Sequence, residues 1–282
     1  CKALTSIALP PKLTTINASM FRNCELLNNI EIQDNVREIG AYAFSGCKAL
    51  TSIALPTQLT MISANIFRDC ELLSDITIPE GVSGIGEYAF YNCTGLEKIE
   101  LPDKVEEIGA YAFARCKALT SIKLPPKLTT IKDSAFEGCE LLESIDIPKG
   151  VSKIGGYAFS NCTALKNIII SDNVEEIGEY AFYACKTLPS ITLPTKLTMI
   201  SAHMFRNCES LQTIVIPVSV TNIGDYAFAY CTNLAEIEIP ASVTSIGDKT
   251  FESTKCCIIT SKDSVAEAYA TKKQLAVRYK EE

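Results

Sequence analysis

Thirteen cysteines in 282 residues are the feature of this sequence with the most chemical reach. Eleven of them, from Cys1 through Cys24 and Cys47 to Cys231, stand 23 residues apart, and only Cys256 and Cys257 fall outside the series. Cysteines can bridge, ligate metal or attack as nucleophiles. Even spacing suits the first two poorly. Zinc sites draw on close pairs such as C-x2-C, and the one close pair here, Cys256-Cys257, is too tight to chelate well. Equivalent side chains of successive repeats point the same way, whereas a disulfide needs Cβ atoms turned toward each other. Free cysteine is among the most buried residue types and packs as a small hydrophobe. The spacing therefore predicts a reduced, buried ladder, with disulfides and metal binding as the alternatives.

Other reactive types form no organised site. His203 is the sole histidine and occupies a variable slot without a partner to orient it, so the usual general base is missing. Carboxylate pairs such as Glu106-Glu107 and Glu175-Glu176 return with the repeat. An active site is needed once, so their repetition reads as surface. Sequons at Asn17, Asn92 and Asn161 could carry glycans only on a eukaryotic secretory route. The sequence predicts no catalytic residue, no metal ligands and no cofactor.

The elements that position these residues follow from a second series. All eleven Phe, from Phe21 to Phe251, are also 23 apart, each three residues before a cysteine slot. A fixed period of this size marks a solenoid. In the repeat Cys93–Arg115, Ile99 and Leu101 face one side of a short strand and Glu100 the other. Pro102 has no N–H to donate and ends that strand. Val105 and Ile108 point inward from a second extended piece, and Gly109 is expected to permit a turn. Ala112, Phe113 and Cys116, at three-to-four spacing, predict a single helical turn. Phe90, Cys93, Phe113, Cys116, Phe136 and Cys139 are thus the structural ladder of the central repeats. One coil cannot bury its apolar side chains alone, and stacking buries them. At about 4.8 Å per step the array is a rod on the order of 50 Å long.

Residues 1–253 divide into eleven such repeats. The residue after each cysteine runs Lys48, Glu71, Thr94, Lys117, Glu140, Thr163, Lys186, Glu209, Thr232, a superperiod of 69. Lys-type repeats replace the turn Gly with Asn17, Ser63, Lys132 or Ser201, and the following Tyr with Ser19, Asn65, Ser134 or His203. Residues 254–282 read as a capping segment: a helix over 263–273 capped by Asp263 or Ser261, a strand over 275–279, and a charged end. The chain opens at Cys1 in mid-repeat and reads as a piece of a longer protein. With 26 basic and 33 acidic residues, net −7, nothing basic is concentrated enough to follow nucleic acid. No apolar run reaches the roughly 18 residues that a transmembrane helix needs.

The stretch Gly86-Glu87-Tyr88-Ala89-Phe90-Tyr91-Asn92-Cys93-Thr94-Gly95-Leu96 resembles the repeat of the BspA-like, or treponemal-type, leucine-rich-repeat proteins, as does Ile246-Gly247-Asp248-Lys249-Thr250-Phe251. The resemblance covers residues 1 to about 253; Gln33 and Ser171 depart from it where a strand-ending Pro is usual. It implies an α/β-type repeat solenoid: a curved leucine-rich-repeat array with a parallel sheet on its concave side. It also implies a cell-surface or secreted protein that adheres to host matrix proteins or to other cells, and it supplies no catalytic motif.

A concave solenoid face is the default binding surface. Its outward strand positions are mostly small and polar, with a charged stretch at Asp75, Glu97, Lys98, Glu100, Lys123, Glu143 and Asp146, the candidate protein-binding residues. The alternative is a merely solvated sheet face, since no Trp, Tyr or Arg of the kind that dominates interface hot spots stands there. The Tyr row at 42, 88, 111, 157, 180 and 226 reads as scaffold or recognition patch, and Arg22, Arg68 and Arg206 as a solvated edge. The reading is a non-enzymatic protein-binding module, with an intracellular scaffold or a passive spacer as alternatives.

Overall fold

The computed structural model describes residues 1–280 and is a parallel solenoid whose coils carry two short strands each. The first lies in the L-x-x-I-x-L segment, as at Asp75–Thr77 and Ser144–Asp146; the second is a two-residue strand at the next Ile, as at Met61–Ile62 and Glu107–Ile108. Neighbouring coils pair parallel in 23-residue register: Ile7 against Ile30, Ile145 against Ile168, Ile62 against Ile85. Along the first strands the central Ile is buried and its flanks are exposed, which is the period-2 pattern expected of β-branched residues on a half-buried sheet.

In place of the expected helical turn, a third ladder joins the coils. Tyr42, Phe44 and Gly46 donate their N–H groups to Ala64, Ile66 and Arg68 of the next coil at 3.2, 3.0 and 2.7 Å. The alternate residues Ala43, Ser45 and Cys47 donate three residues back, to Gly40, Tyr42 and Phe44. This alternation turns every second N–H along the solenoid, which a helix would keep within the coil. It requires left-handed backbone at Tyr42 (φ 60°) and Gly46 (φ 73°), a pattern repeated at Tyr88 and Asn92 and at Tyr157 and Asn161. The preceding Gly serves close approach rather than the turn: a Cβ on Gly109 would sit 2.5 Å from the Glu87 N. Where Ser replaces it, the hydroxyl is used, as Ser201 donates to the Ile177 carbonyl at 2.5 Å.

Inside the turns, Phe21 to Phe251 form one unbroken stack with centroids 5.3–5.8 Å apart. The expected cysteine ladder lies beside it, free and buried from Cys24 to Cys231. From Cys47 onward each thiol has a specific acceptor: Cys93, Cys116 and Cys139 donate to the carbonyls of Phe67, Phe90 and Phe113 at 3.1–3.2 Å. Thr254, where the cysteine series stops, makes the same bond to Phe228 at 2.6 Å. The slot therefore selects a small donor that can satisfy a buried carbonyl. Burial pushes the thiols from Cys47 to Cys231 up, those of Cys47, Cys116 and Cys231 to about 12.

The superperiod also has a physical basis. Lys48, Lys117 and Lys186 pair with Glu71, Glu140 and Glu209 of the next coil at 2.9, 2.9 and 3.1 Å. Thr94, Thr163 and Thr232 of the coil after that donate to the carbonyls of the same Glu residues. Such exposed pairs contribute at most about 1 kcal/mol each, so they favour one order of coils more than they stabilise the rod.

The terminal segment holds Val265–Lys273, the only α-helix among the described residues. Its N-cap is Ser264, one residue beyond the expected Asp263, because Ser264 accepts the Glu267 N–H at 3.1 Å while Asp263 is left-handed. Tyr269 closes the end of the Phe stack edge-on against Phe251. The strand Cys257–Thr260 pairs with Glu236–Glu238, and Ala276–Tyr279 pairs with Cys257–Thr260 in turn. Glu281 and Glu282, part of the expected charged end, lie outside the described residues. No helix is long and apolar enough to cross a membrane among the described residues.

Candidate functional site

The outward positions of the first strands form one face of the rod, because the central Ile of each strand is held in the core and its neighbours must point away. Residues just after each strand-ending Pro rise beside this face as a rim, as Glu80, Asp103 and Lys149 do. Between face and rim lie two adjoining hollows. One, of about 440 Å³, is lined by Asp75, Thr77, Glu80, Lys98, Glu100 and Asp103. The other, of about 700 Å³, is lined by Ser121, Lys123, Pro126, Ser144, Asp146 and Lys149, and shares Asp103.

Of the seven expected site residues, Asp75, Lys98 and Glu100 gather in the first hollow and Lys123 and Asp146 in the second. Glu97 and Glu143 do not line them. The Glu143 carboxylate turns to Lys166 at 3.2 Å, and the Glu97 main-chain carbonyl accepts from Thr120. The rim residues Glu80, Asp103 and Lys149 were not among the expected set. Their signal is positional: each directly follows a Pro, at multiples of the 23-residue period. Lys123 and Asp103 approach to 3.8 Å, a loose and solvated pair. The hollows thus present carboxylate and ammonium groups that can recognise the polar surface of a partner. Among the described residues, no three His, Cys, Asp or Glu side chains gather to hold a metal ion.

The aromatic groups lie at the turns. Tyr88 stacks on Tyr111 at 4.6 Å, and Tyr157, Tyr180, His203 and Tyr226 form a continuous pile at 4.5, 4.2 and 4.8 Å. His203 is a member of this pile, with Nδ1 3.3 Å from Arg206 Nη1; burial first, and then Arg206, lower its pKa. The arginines expected at a solvated edge also cover rings of the following coil, Arg22 while exposed and Arg68 and Arg206 half-buried: Arg22 over Tyr42, Arg68 over Tyr88 and Tyr91, Arg206 over Tyr226 and Tyr230, at 4.9–5.5 Å. The side-chain amides of the sequon residues Asn92 and Asn161 donate to Asp69 and Ser160 at 3.0 Å.

The sequence pattern of the BspA type leucine rich repeat region matches residues 1–118, 83–186 and 152–271, in six copies. Among solved structures, a leucine-rich repeat protein from Bacteroides ovatus superposes with a TM-score of 0.68 at 24% identity, covering 98% of this chain and 92% of that one. A leucine rich cell surface protein from Faecalibacterium prausnitzii gives 0.55 at 27% identity, covering 94% and 81%. The pneumococcal vaccine antigen PcpA gives 0.66 at 20% identity, covering 99% and 80%. Among curated proteins no sequence relative is found.

Proposed function

The chain belongs to the BspA type leucine-rich-repeat family, and from that premise we propose that it is a non-enzymatic adhesin acting at a cell surface. Its partner is a host or matrix protein, or a protein on another cell, held on the strand face. One observation carries the choice of face: Asp75, Glu80, Lys98, Glu100, Asp103, Lys123, Asp146 and Lys149 converge on two joined hollows. Elsewhere the strand face is mostly small and uncharged. Charges arranged this way give orientation and association rate. The cell-surface relative from F. prausnitzii supports the location.

A second reading, an intracellular scaffold, is favoured by the free thiols, which suit a reducing compartment. Both readings share the strand face as binding surface, and a passive spacer does not. The test is capture of matrix and cell-surface proteins on immobilised chain, compared with the triple variant Glu100→Lys, Lys123→Glu, Asp146→Lys. Capture should be lost while the melting temperature holds. Undiminished capture would remove the strand face from consideration, and capture of neither set would favour the spacer.

A further inference from the structure

The strand face changes character along the rod. At one end of the charged region the first hollow holds four carboxylates, Asp75, Glu80, Glu100 and Asp103, against the single ammonium of Lys98. Toward the other end of the chain, the same outward positions carry Asn167, Ile169, Ser190, Thr192, Thr213 and Val215, all uncharged. Val218 stands at the rim position equivalent to Asp103, five repeats on. Ile169, Val215 and Val218 are 56%, 76% and 82% exposed. Single exposed aliphatic side chains are ordinary; here Ile169 and Val215 stand two coils apart on one row, with the Thr192 position between them, and Val218 rises at the rim of the Val215 coil.

On one side of this aliphatic strip the charges are neutralised. The next strand carries Glu236 and Glu238, which would make its edge acidic. Arg278 and Lys280 of the terminal segment cover them at 2.7 and 2.6 Å. At the near edge the Asp172 carboxylate accepts the Thr195 N–H at 3.1 Å. The aliphatic strip therefore meets paired charges on the side of Glu236 and Glu238 and the Asp146 carboxylate, in register with Ile169, on the other, whereas the carboxylates of the first hollow face Lys98 and a loosely held Lys123.

We propose, resting on the strand face as binding surface, that this face takes one extended protein segment along the rod axis. The segment carries basic side chains over Asp75, Glu80, Glu100 and Asp103 and aliphatic side chains over Ile169, Val215 and Val218. From the middle of the first hollow to Thr192 is four to five coil steps, on the order of 22 Å. An extended chain covers that distance in about six or seven residues. The ligand class is thus a cationic group and a β-branched or aliphatic group at that separation, with polar residues between them to pass over Ser121, Lys123, Ser144 and Asp146.

The test uses the full chain and synthetic peptides that carry an Arg-Lys pair and an Ile-Val pair, joined by Ser/Gly spacers of about two, six or twelve residues. Fluorescence anisotropy should find the middle spacer bound about tenfold more tightly than the others. Asp75→Asn with Glu100→Gln should weaken that peptide and flatten its salt dependence. Ile169→Ser with Val215→Ser should weaken it and leave the salt dependence intact. Binding indifferent to spacer length, or absent for every peptide, would overturn the inference. Protein capture that persists without peptide binding would overturn this inference alone, and capture that survives the triple variant would remove the strand face itself.

Discussion

Every coil contributes to two faces that treat their polar groups in opposite ways. At the turns, the Tyr rings stack on one another, Arg22, Arg68 and Arg206 lie over rings of the next coil, and the thiols donate to buried carbonyls. On the strand face, the carboxylates of Asp75, Glu80 and Glu100 line a hollow open to solvent. Residue types that usually dominate interfaces are thus committed to the fold, and modest ones are left free. Type alone is a poor guide to function in a stacked array; whether the next coil already occupies a group decides what it can do.

The comparison breaks if stability does not follow the turn side. The largest effect is expected at alkaline pH. In the unfolded chain a thiol ionises near 9.0, whereas burial holds the folded thiols higher, to about 12 at Cys116. The fold keeps protons that the unfolded chain sheds, so stability is intact below about pH 9 and falls as pH rises toward 12. Each such thiol adds a slope of about 1.4 kcal/mol per pH unit. Urea midpoints measured from about pH 8 to 10 should drop steeply, and a flat series would contradict the ladder.

Next in size, Phe136→Ala opens a gap in the stack and should cost about 3–5 kcal/mol in urea unfolding. Lys123→Ala, on the strand face, should stay within about 0.5 kcal/mol. Comparable losses from the two would erase the distinction. A loss between these two is expected at Tyr180, stacked on Tyr157 on one side and His203 on the other. Tyr180→Ala should cost about 1–3 kcal/mol from two lost stacks, with partner capture unchanged. Lost capture at undiminished stability would make the turn side the recognition surface.

Much of this fold is legible in the sequence, because burial allows only one kind of residue at each inward position. Phe and Cys recur every 23 residues since every coil meets the same neighbour. The turn was misread because Ala112, Phe113 and Cys116 have a spacing that fits both a helix and consecutive three-residue turns. The bonds that distinguish the two run to the next coil. Gly109 was assigned backbone freedom for a related reason: its constraint is the Glu87 backbone, 22 residues earlier. That Arg68 also covers a ring is not legible locally, because its aromatic partner, Tyr88, lies 20 residues ahead. For the site, the charged strand positions were legible and the rim was not. Glu80 and Asp103 follow a Pro in what reads as plain turn, and only stacking brings them beside the strands.

The Lys, Glu and Thr contacts carry a consequence for length. A coil of each type, taken in order, completes one set of links: Lys117 to Glu140, and Thr163 to Glu140. Inserting or removing 23 residues mid-array would put unlike coils together and break a set, whereas a change of 69 restores these links. Each such change alters the reach of the rod by about 14 Å, three coil steps, without altering either end. The array is therefore an adjustable ruler graduated in triplets, and the distance at which it holds its two ends apart can be reset by a single in-frame duplication.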